Sequence, residues 1–233
     1  MRHCTLEFSL EYEVELQHPF TLIVAGLRCC GKSTFVIKLL ECREQLCDKV
    51  FDNIVWCHSE INALHQLKNF SFVRGVPDFE NPENVATLIV LDNLIDSAYS
   101  AKVSELFTKG SHHCNVILVL ITQNSFYQGP SACTISLIRK NITVFKNTRD
   151  KSPIMYFARQ FYPDNISSFQ KAYLEACKDP RSYLFLDLTQ SINDLLRFRT
   201  KMFPGELTEV LAPVKANEQI EVTTTLSPRT ERR

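Results

Sequence analysis

Positions 26–33 of the chain, GLRCCGKS, have the residue types and the spacing of a phosphate-binding loop. The pattern GxxxxGK[ST] puts glycine where the backbone turns tightly, so that N–H groups of the loop and of the following helix point at an anion. Lys32 would bring a positive charge to the β- and γ-phosphates of a nucleotide, and the Ser33 hydroxyl would bind Mg²⁺. The alternative is a strand-to-helix turn that binds no ligand. The predicted phosphate-binding residues are Gly26, Leu27, Arg28, Cys29, Cys30, Gly31, Lys32, Ser33 and Thr34.

The elements on either side of this loop support the prediction. Residues 22–25 are all apolar and predict a buried strand. Residues 33–46 predict a helix, because apolar side chains recur there at helical spacing. A strand, a glycine-containing loop and a helix, in that order, are the context that a phosphate-binding loop requires.

A second motif lies in residues 87–96, TLIVLDNLID. Four apolar residues followed by an acid are typical of the Walker B strand, whose carboxylate holds Mg²⁺ directly or through water. Asp92 is the residue in that position. The alternative is that Asp92 simply caps a helix, which aspartate does well.

The residue after Asp92 is Asn93, where P-loop NTPases with an additional strand usually have an acid that activates water. A predicted strand at 54–57 separates the two motifs along the chain and favours that class. An amide cannot take a proton as a carboxylate can, and the loss of a general base costs about 10²–10⁴-fold in rate. An amide can still orient water. Glu60 and Asp96 are the candidate substitutes, and we expect weakened hydrolysis.

Two further strand ends carry candidate functional residues. Residues 116–121 are apolar and lead to Gln123, an amide that could sense the γ-phosphate; the alternative is a strand-end cap. The predicted strand at 142–145 is followed by Arg149. This cation could reach the nucleotide of a neighbouring subunit as an arginine finger, or it could be an ordinary solvated charge.

Composition limits the alternatives. The chain has 233 residues, of which 45% are hydrophobic, as expected for one sizeable α/β domain. Lys and Arg number 26 and so do Asp and Glu, so any nucleic-acid surface must be local. Nine cysteines without a paired framework, two of them adjacent in the phosphate loop, indicate a reducing intracellular compartment. No apolar stretch is long enough to span a membrane, and we expect no membrane partner.

The predicted domain organisation has three parts. Strict alternation over residues 5–16 predicts an N-terminal edge strand or hairpin within 1–18. A P-loop ATPase domain follows at 19–205, and the polar segment 206–233 is expected to be a disordered tail. The expected fold is α/β, with a mostly parallel sheet flanked by helices and an N-terminal antiparallel edge strand. Further predicted elements are helices at 61–68, 97–109, 134–139, 151–161 and 164–177 and strands at 183–188 and 195–200.

Two long segments resemble a known family. Residues 107–129, FTKGSHHCNVILVLITQNSFYQG, and residues 144–163, VFKNTRDKSPIMYFARQFYP, are similar to packaging-type ATPases of Polinton/Maverick elements and their adintovirus relatives. Those proteins are similar to poxvirus packaging ATPases and belong to the FtsK/HerA superfamily. The resemblance runs from about residue 20 to residue 204 and includes YLFLDL at 183–188 and LRFRTKMFP at 196–204.

The resemblance implies a RecA-like, additional-strand P-loop core that binds ATP and Mg²⁺. It also implies a homo-oligomeric ring that drives double-stranded DNA into a capsid, with capsid proteins as partners and the host nucleus, the cytoplasm or the virion as location. Gly26, Gly31, Lys32 and Ser33 match the family's phosphate ligands, Asp92 its metal ligand and Gln123 its sensor.

Three function classes follow. The preferred one is a DNA-translocating ATPase. Because Asn93 departs from the family's acid, the second is a hydrolysis-impaired nucleotide-binding switch, in a decayed or domesticated copy of a mobile-element gene. The third is a small-molecule kinase, which is disfavoured because the sequence lacks the arginine cluster of a kinase lid.

Overall fold

The structure is a computed structural model, and it describes residues 15–59, 70–76, 85–94, 103–104, 106–107, 115–123, 140–150, 152–212 and 221–226. In this part of the chain the strands are β1 Thr21–Ala25, β2 Asn53–His58, β3 Ser71–Arg74, β4 Thr87–Asp92, β5 Val116–Thr122, β6 Asn141–Phe145, β7 Tyr183–Asp187, β8 Phe198–Thr200, β9 Leu207–Ala212 and β10 Glu221–Leu226. The helices are α1 Lys32–Glu41, α2 Arg43–Leu46, α3 Ser152–Phe161 and α4 Ile166–Ala176, with single 3₁₀ turns at Pro163–Asn165 and Asp194–Leu196.

All ten of these strands belong to one sheet, in the order β10-β9-β8-β7-β6-β1-β5-β4-β2-β3. Six consecutive strands of this order, β6-β1-β5-β4-β2-β3, pair with one another in parallel. Strands β7, β8, β9 and β10 continue the sheet beyond β6 with antiparallel pairing. We call these four strands the antiparallel extension. The predicted mostly parallel sheet flanked by helices is confirmed.

The sheet order shows which strand is inserted between the two motif strands. In space, β5 lies between β1 and β4, whereas the segment predicted as a strand at 54–57 lies on the far side of β4 as β2. Sequence order and spatial order therefore differ, as the crossover connections of parallel sheets allow. The insertion puts the end of β5, with Gln123, beside both motifs.

Alternate residues of the parallel strands enter two hydrophobic cores. Leu22 and Val24 of β1 pack with Phe35, Val36 and Leu39 of α1 on one face of the sheet. Ile23 and Ala25 pack with Val103 and Phe107 on the other face. Both faces are covered, which explains why strands such as β4 and β5 are buried along their whole length. A third core joins α3 and α4 to strands β6, β7 and β8.

The C-terminal part differs from the prediction. A disordered tail was expected from residue 206, but residues 207–212 and 221–226 form β9 and β10 and pair with each other. The expectation was wrong for these residues because a terminal hairpin needs few apolar side chains. Thr208, Val210 and Leu211 are buried, and the threonine-rich β10 has the β-branched residues that suit a strand.

The remaining predicted elements have mixed outcomes. The predicted helix at 33–46 is interrupted at Cys42 and forms α1 and α2. The helices predicted at 151–161 and 164–177 are present as α3 and α4, and the strand predicted at 195–200 is reduced to β8. Residues 1–14, the helices predicted at 61–68 and 134–139, most of that at 97–109, and Glu60 and Asp96 lie outside the described residues. Of the helices in the described ranges, none has the length and apolar character needed to cross a membrane.

Candidate functional site

The phosphate loop connects β1 to α1 at the carboxyl edge of the parallel sheet. Gly26 donates its N–H to the Thr122 carbonyl at 3.2 Å, which ties the loop to β5. A Cβ at Gly26 would lie 2.7 Å from Cys30 Sγ and 2.8 Å from Phe145 Cβ, so only glycine fits there. Cys29 and Gly31 have left-handed backbone angles, with φ of 60° and 107°. Gly31 precedes α1 and offers no side-chain cap, so the first N–H groups of this helix remain suited to an anion.

Lys32 is buried at the start of α1, with 9% of its surface exposed. Its ammonium donates to the Gly26 carbonyl at 2.9 Å and to the Leu27 carbonyl at 2.7 Å. Burial lowers the pKa of Lys32, while the neighbouring Cys30 and Asp92 act in the opposite direction. The predicted cation is therefore positioned by the loop itself, and it would exchange carbonyl oxygens for phosphate oxygens on binding a nucleotide.

Asp92 ends β4 and is 6% exposed. Burial raises the pKa of its carboxyl group; the Trp56 indole N–H and the positive charge of Lys32 oppose that rise. The indole N–H is buried and makes no hydrogen bond within the described residues, so it acts on Asp92 by electrostatic attraction. A buried carboxylate near a lysine at the end of a strand is suited to hold a divalent cation.

Asn93 and Gln123 form a direct pair at the ends of β4 and β5. Gln123 Nε2 donates to Asn93 Oδ1 at 2.9 Å. The Asn93 backbone is left-handed, with φ of 52°, and its N–H donates to the Ile121 carbonyl at 3.3 Å. Ser59 Oγ donates to the Asn93 carbonyl at 3.4 Å. The predicted sensor and the residue in the acid's place are thus hydrogen-bonded to each other.

A cavity of about 490 Å³ opens beside the phosphate loop, and its size is typical of small-ligand sites. The predicted loop residues Cys29, Gly31, Lys32, Ser33 and Thr34 form one side of it. The other side was not predicted from the sequence as part of the site. Phe35 and Lys38 follow the loop within α1, and the other residues come from distant parts of the chain and belong to no phosphate-binding motif. The lining residues beyond the loop are Phe35, Lys38, Phe145, Arg181, Tyr183, Phe203 and Glu206.

Arg181 is the arginine that the structure places in this cavity. A Cβ on Gly31 would lie 3.7 Å from Arg181 Cβ, so this residue stands directly beside the phosphate loop. Arg149, the predicted arginine finger, does not line the cavity. It is exposed after β6, and its backbone N–H donates to Asn147 Oδ1 at 2.9 Å. A single chain therefore does not bring Arg149 to the site.

No protein-family model matches the chain, and no curated protein sequence matches it. Several solved structures do match the chain. The DNA-packaging ATPase B204 from Sulfolobus Turreted Icosahedral Virus covers 76% of this chain with 96% of its own length, at 11% identity and a TM-score of 0.52. The genome packaging NTPase B204 of Sulfolobus turreted icosahedral virus 2 matches in two structures, and each covers 72% of this chain with 92% of its own length. The complex with ATP-gammaS is 14% identical with a TM-score of 0.47, and the complex with AMPPCP is 12% identical with a TM-score of 0.48. At these identities the first of these shows a shared fold.

Proposed function

We propose that this chain is an ATP-binding P-loop NTPase that acts as a viral or mobile-element DNA-packaging motor. The observation that carries the proposal is the arrangement of Lys32 and Asp92. A buried lysine at the start of α1 and a buried acid at the end of β4 are near enough for their charges to act on each other, beside a loop whose glycines leave room for phosphate. The fold shared with a DNA-packaging ATPase supports the same conclusion.

The chain's residues would divide the work as follows. Residues 26–34 bind the triphosphate through backbone N–H groups and the Lys32 ammonium, which neutralises charge as the phosphoryl group transfers. Ser33 and Asp92 are the residues that would hold Mg²⁺, which supplies further charge neutralisation. Among the described residues no group of three or more His, Cys, Asp or Glu is assembled, so phosphate and water oxygens would have to supply the remaining ligands.

A second candidate function is a nucleotide-binding switch that hydrolyses ATP slowly or not at all. The Asn93–Gln123 hydrogen bond favours it, because the amide in the acid's position is engaged by the sensor and carries no base. In such a switch, breaking or keeping this bond would report whether a γ-phosphate is present.

Steady-state ATP hydrolysis with Mg²⁺, measured with and without double-stranded DNA, distinguishes the two functions. For a motor we expect DNA-stimulated turnover in the unmodified protein and none in Lys32→Ala. For a switch we expect tight ATP binding, and turnover only after Asn93→Asp supplies the carboxylate. Unchanged ATP affinity in Lys32→Ala, with the domain still folded, would refute the site assignment. Phosphoryl transfer to nucleosides or nucleotides would instead indicate a kinase.

The finer parts of the proposal rest on the sequence resemblance. These are membership of the Polinton/Maverick–adintovirus group in the FtsK/HerA superfamily, a homo-oligomeric ring, contacts with capsid proteins, and a location in the nucleus, the cytoplasm or the virion. Segments 107–129 and 144–163 support them. Sedimentation of the purified protein with nucleotide and DNA tests the ring directly; a monomer under all of these conditions would contradict it.

A further inference from the structure

The cavity beside the phosphate loop extends well past the residues that a triphosphate needs. Its far end is formed by Lys38 of α1 and by Phe203 and Glu206, which lie in the turn between β8 and β9. This turn is held by a hydrogen bond from the Glu206 N–H to the Phe203 carbonyl at 3.0 Å. The antiparallel extension thus supplies one wall of the same cavity whose other wall is the phosphate loop.

Lys38 and Glu206 form an ion pair across this far end. Lys38 Nζ lies 2.6 Å from Glu206 Oε1 and 4.5 Å from the centre of the Phe203 ring. The two side chains are 41% and 36% exposed. An ion pair this exposed contributes little to folding stability. The ion pair instead holds the Glu206 carboxylate in one place. The second oxygen of this carboxylate, Oε2, makes no hydrogen bond to the rest of the described chain.

The position of this carboxylate relative to the phosphate loop fits the length of a nucleotide. Lys38 follows Ser33 by five residues, which is about 7.5 Å along the helix at 1.5 Å per residue. Both residues line the same cavity. With the triphosphate at the start of α1, the nucleoside would extend along the helix toward the ion pair.

We propose that Glu206, held by Lys38, accepts a hydrogen bond from the nucleoside half of the bound nucleotide and makes the site select a nucleoside triphosphate over a bare polyphosphate. This proposal rests on the nucleotide binding proposed above. The donor is either an exocyclic amine of the base or the 2′-hydroxyl of the ribose, since both present hydrogen to a carboxylate oxygen.

The test is titration calorimetry of the full chain with Mg²⁺ and four ligands: a non-hydrolysable ATP analogue, its 2′-deoxy form, the matching inosine analogue, which lacks the amine, and inorganic tripolyphosphate. In Glu206→Ala we expect the ATP analogue to bind about 10–100-fold more weakly, as for a lost hydrogen bond to a charged group. Tripolyphosphate should bind as tightly as before. The penalty should disappear for the 2′-deoxy analogue if Glu206 binds the ribose hydroxyl, and for the inosine analogue if it binds the amine.

Lys201 and Glu209 provide a matched control. This pair also has an Nζ–Oε1 distance of 2.6 Å and joins the turn after β8 to β9, but it does not line the cavity. Glu209→Ala should leave all four affinities unchanged. The proposal is overturned if Glu206→Ala binds the ATP analogue unchanged or more tightly, loses tripolyphosphate equally, or keeps its penalty with both modified nucleosides. Failure of the proposed nucleotide site would give a different result: Lys32→Ala would then leave the affinities for ATP and for tripolyphosphate unchanged.

Discussion

At the scale of single residues, the site is built from charges that are costly to bury. Lys32 and Asp92 are both less than a tenth exposed, and for both residues burial shifts the pKa toward the neutral form. A buried charge that is only partly compensated reduces folding stability. Residues retained at such a cost are candidates for function, because stability and activity make opposing demands on an active site.

Asp92→Asn tests this cost through its pH dependence. Because the pKa of Asp92 is raised in the folded protein, the unfolded chain loses this proton first as pH rises, and stability falls until pH passes the folded pKa. Asp92→Asn has no carboxyl group at this position and therefore does not show this fall in stability. We therefore expect it to be more stable than the unmodified protein at pH 7, with the difference shrinking at pH values below the ordinary range of a carboxyl group.

Urea unfolding between pH 7 and the lowest pH at which both proteins fold measures this difference. In thermal melts, each kcal/mol corresponds to about 2–4 °C for a domain of this size. The same variant should lose the additional stabilisation that Mg²⁺ gives in the presence of ATP, since a metal-binding carboxylate is gone. A variant that is less stable at pH 7 and equally sensitive to Mg²⁺ would contradict both the burial argument and the metal assignment.

At the scale of elements, the antiparallel extension contains a buried ion pair between β7 and β8. Arg199 of β8 is 1% exposed. Its guanidinium donates to Asp187 Oδ2 of β7 at 2.9 Å and to the Leu196 carbonyl at 2.7 Å. Because the turn carrying Phe203 and Glu206 follows β8 directly, this pair also supports the far wall of the cavity.

Arg199→Met should destabilise the protein by about 3–5 kcal/mol, because it leaves the Asp187 carboxylate buried without its partner. Arg197→Met is the matched control. Arg197 pairs with Asp194 at 2.6 Å, but Asp194 is 75% exposed, so the loss should be at most about 1 kcal/mol. Urea unfolding measures both variants. Equal effects of the two substitutions would show that the buried pair does not organise the extension.

Sequence patterns predicted the elements whose signals are local. The phosphate loop, the strand ending in Asp92 and the strand leading to Gln123 each have a continuous motif, and the structure places all three at one edge of the sheet. The wall formed by Arg181, Tyr183, Phe203 and Glu206 has no such signal. These residues reach the loop only through the antiparallel pairing of β6, β7, β8 and β9, and pairing between distant segments is set by tertiary packing.

At the scale of the whole molecule, one chain leaves the predicted arginine finger away from its own cavity. Arg149 is exposed beyond the end of β6, whereas Arg181 stands beside the phosphate loop of the same chain. If Arg149 acts in catalysis, it therefore acts on the nucleotide of a neighbouring copy. Head-to-tail contacts of that kind form a ring when the rotation between subunits closes, and every cavity then faces the same surface of the next subunit.

Mixing two inactive variants tests this arrangement. Lys32→Ala lacks a working phosphate loop but keeps Arg149, and Arg149→Ala has the opposite defect. Each alone should show little ATP hydrolysis, since an arginine finger contributes about 10³–10⁵-fold. In an equal mixture that exchanges subunits, about one site in four combines an intact loop with an intact neighbouring arginine, so activity should return.

Arg159→Ala, which removes an exposed arginine from α3, serves as the control and should keep its activity when assayed alone. If Arg149→Ala is itself fully active, Arg149 is only a solvated charge. If the mixture stays inactive although its subunits exchange, Arg149 does not act across the subunit boundary, and Arg181, which lines the cavity, becomes the candidate for the arginine that acts on the nucleotide.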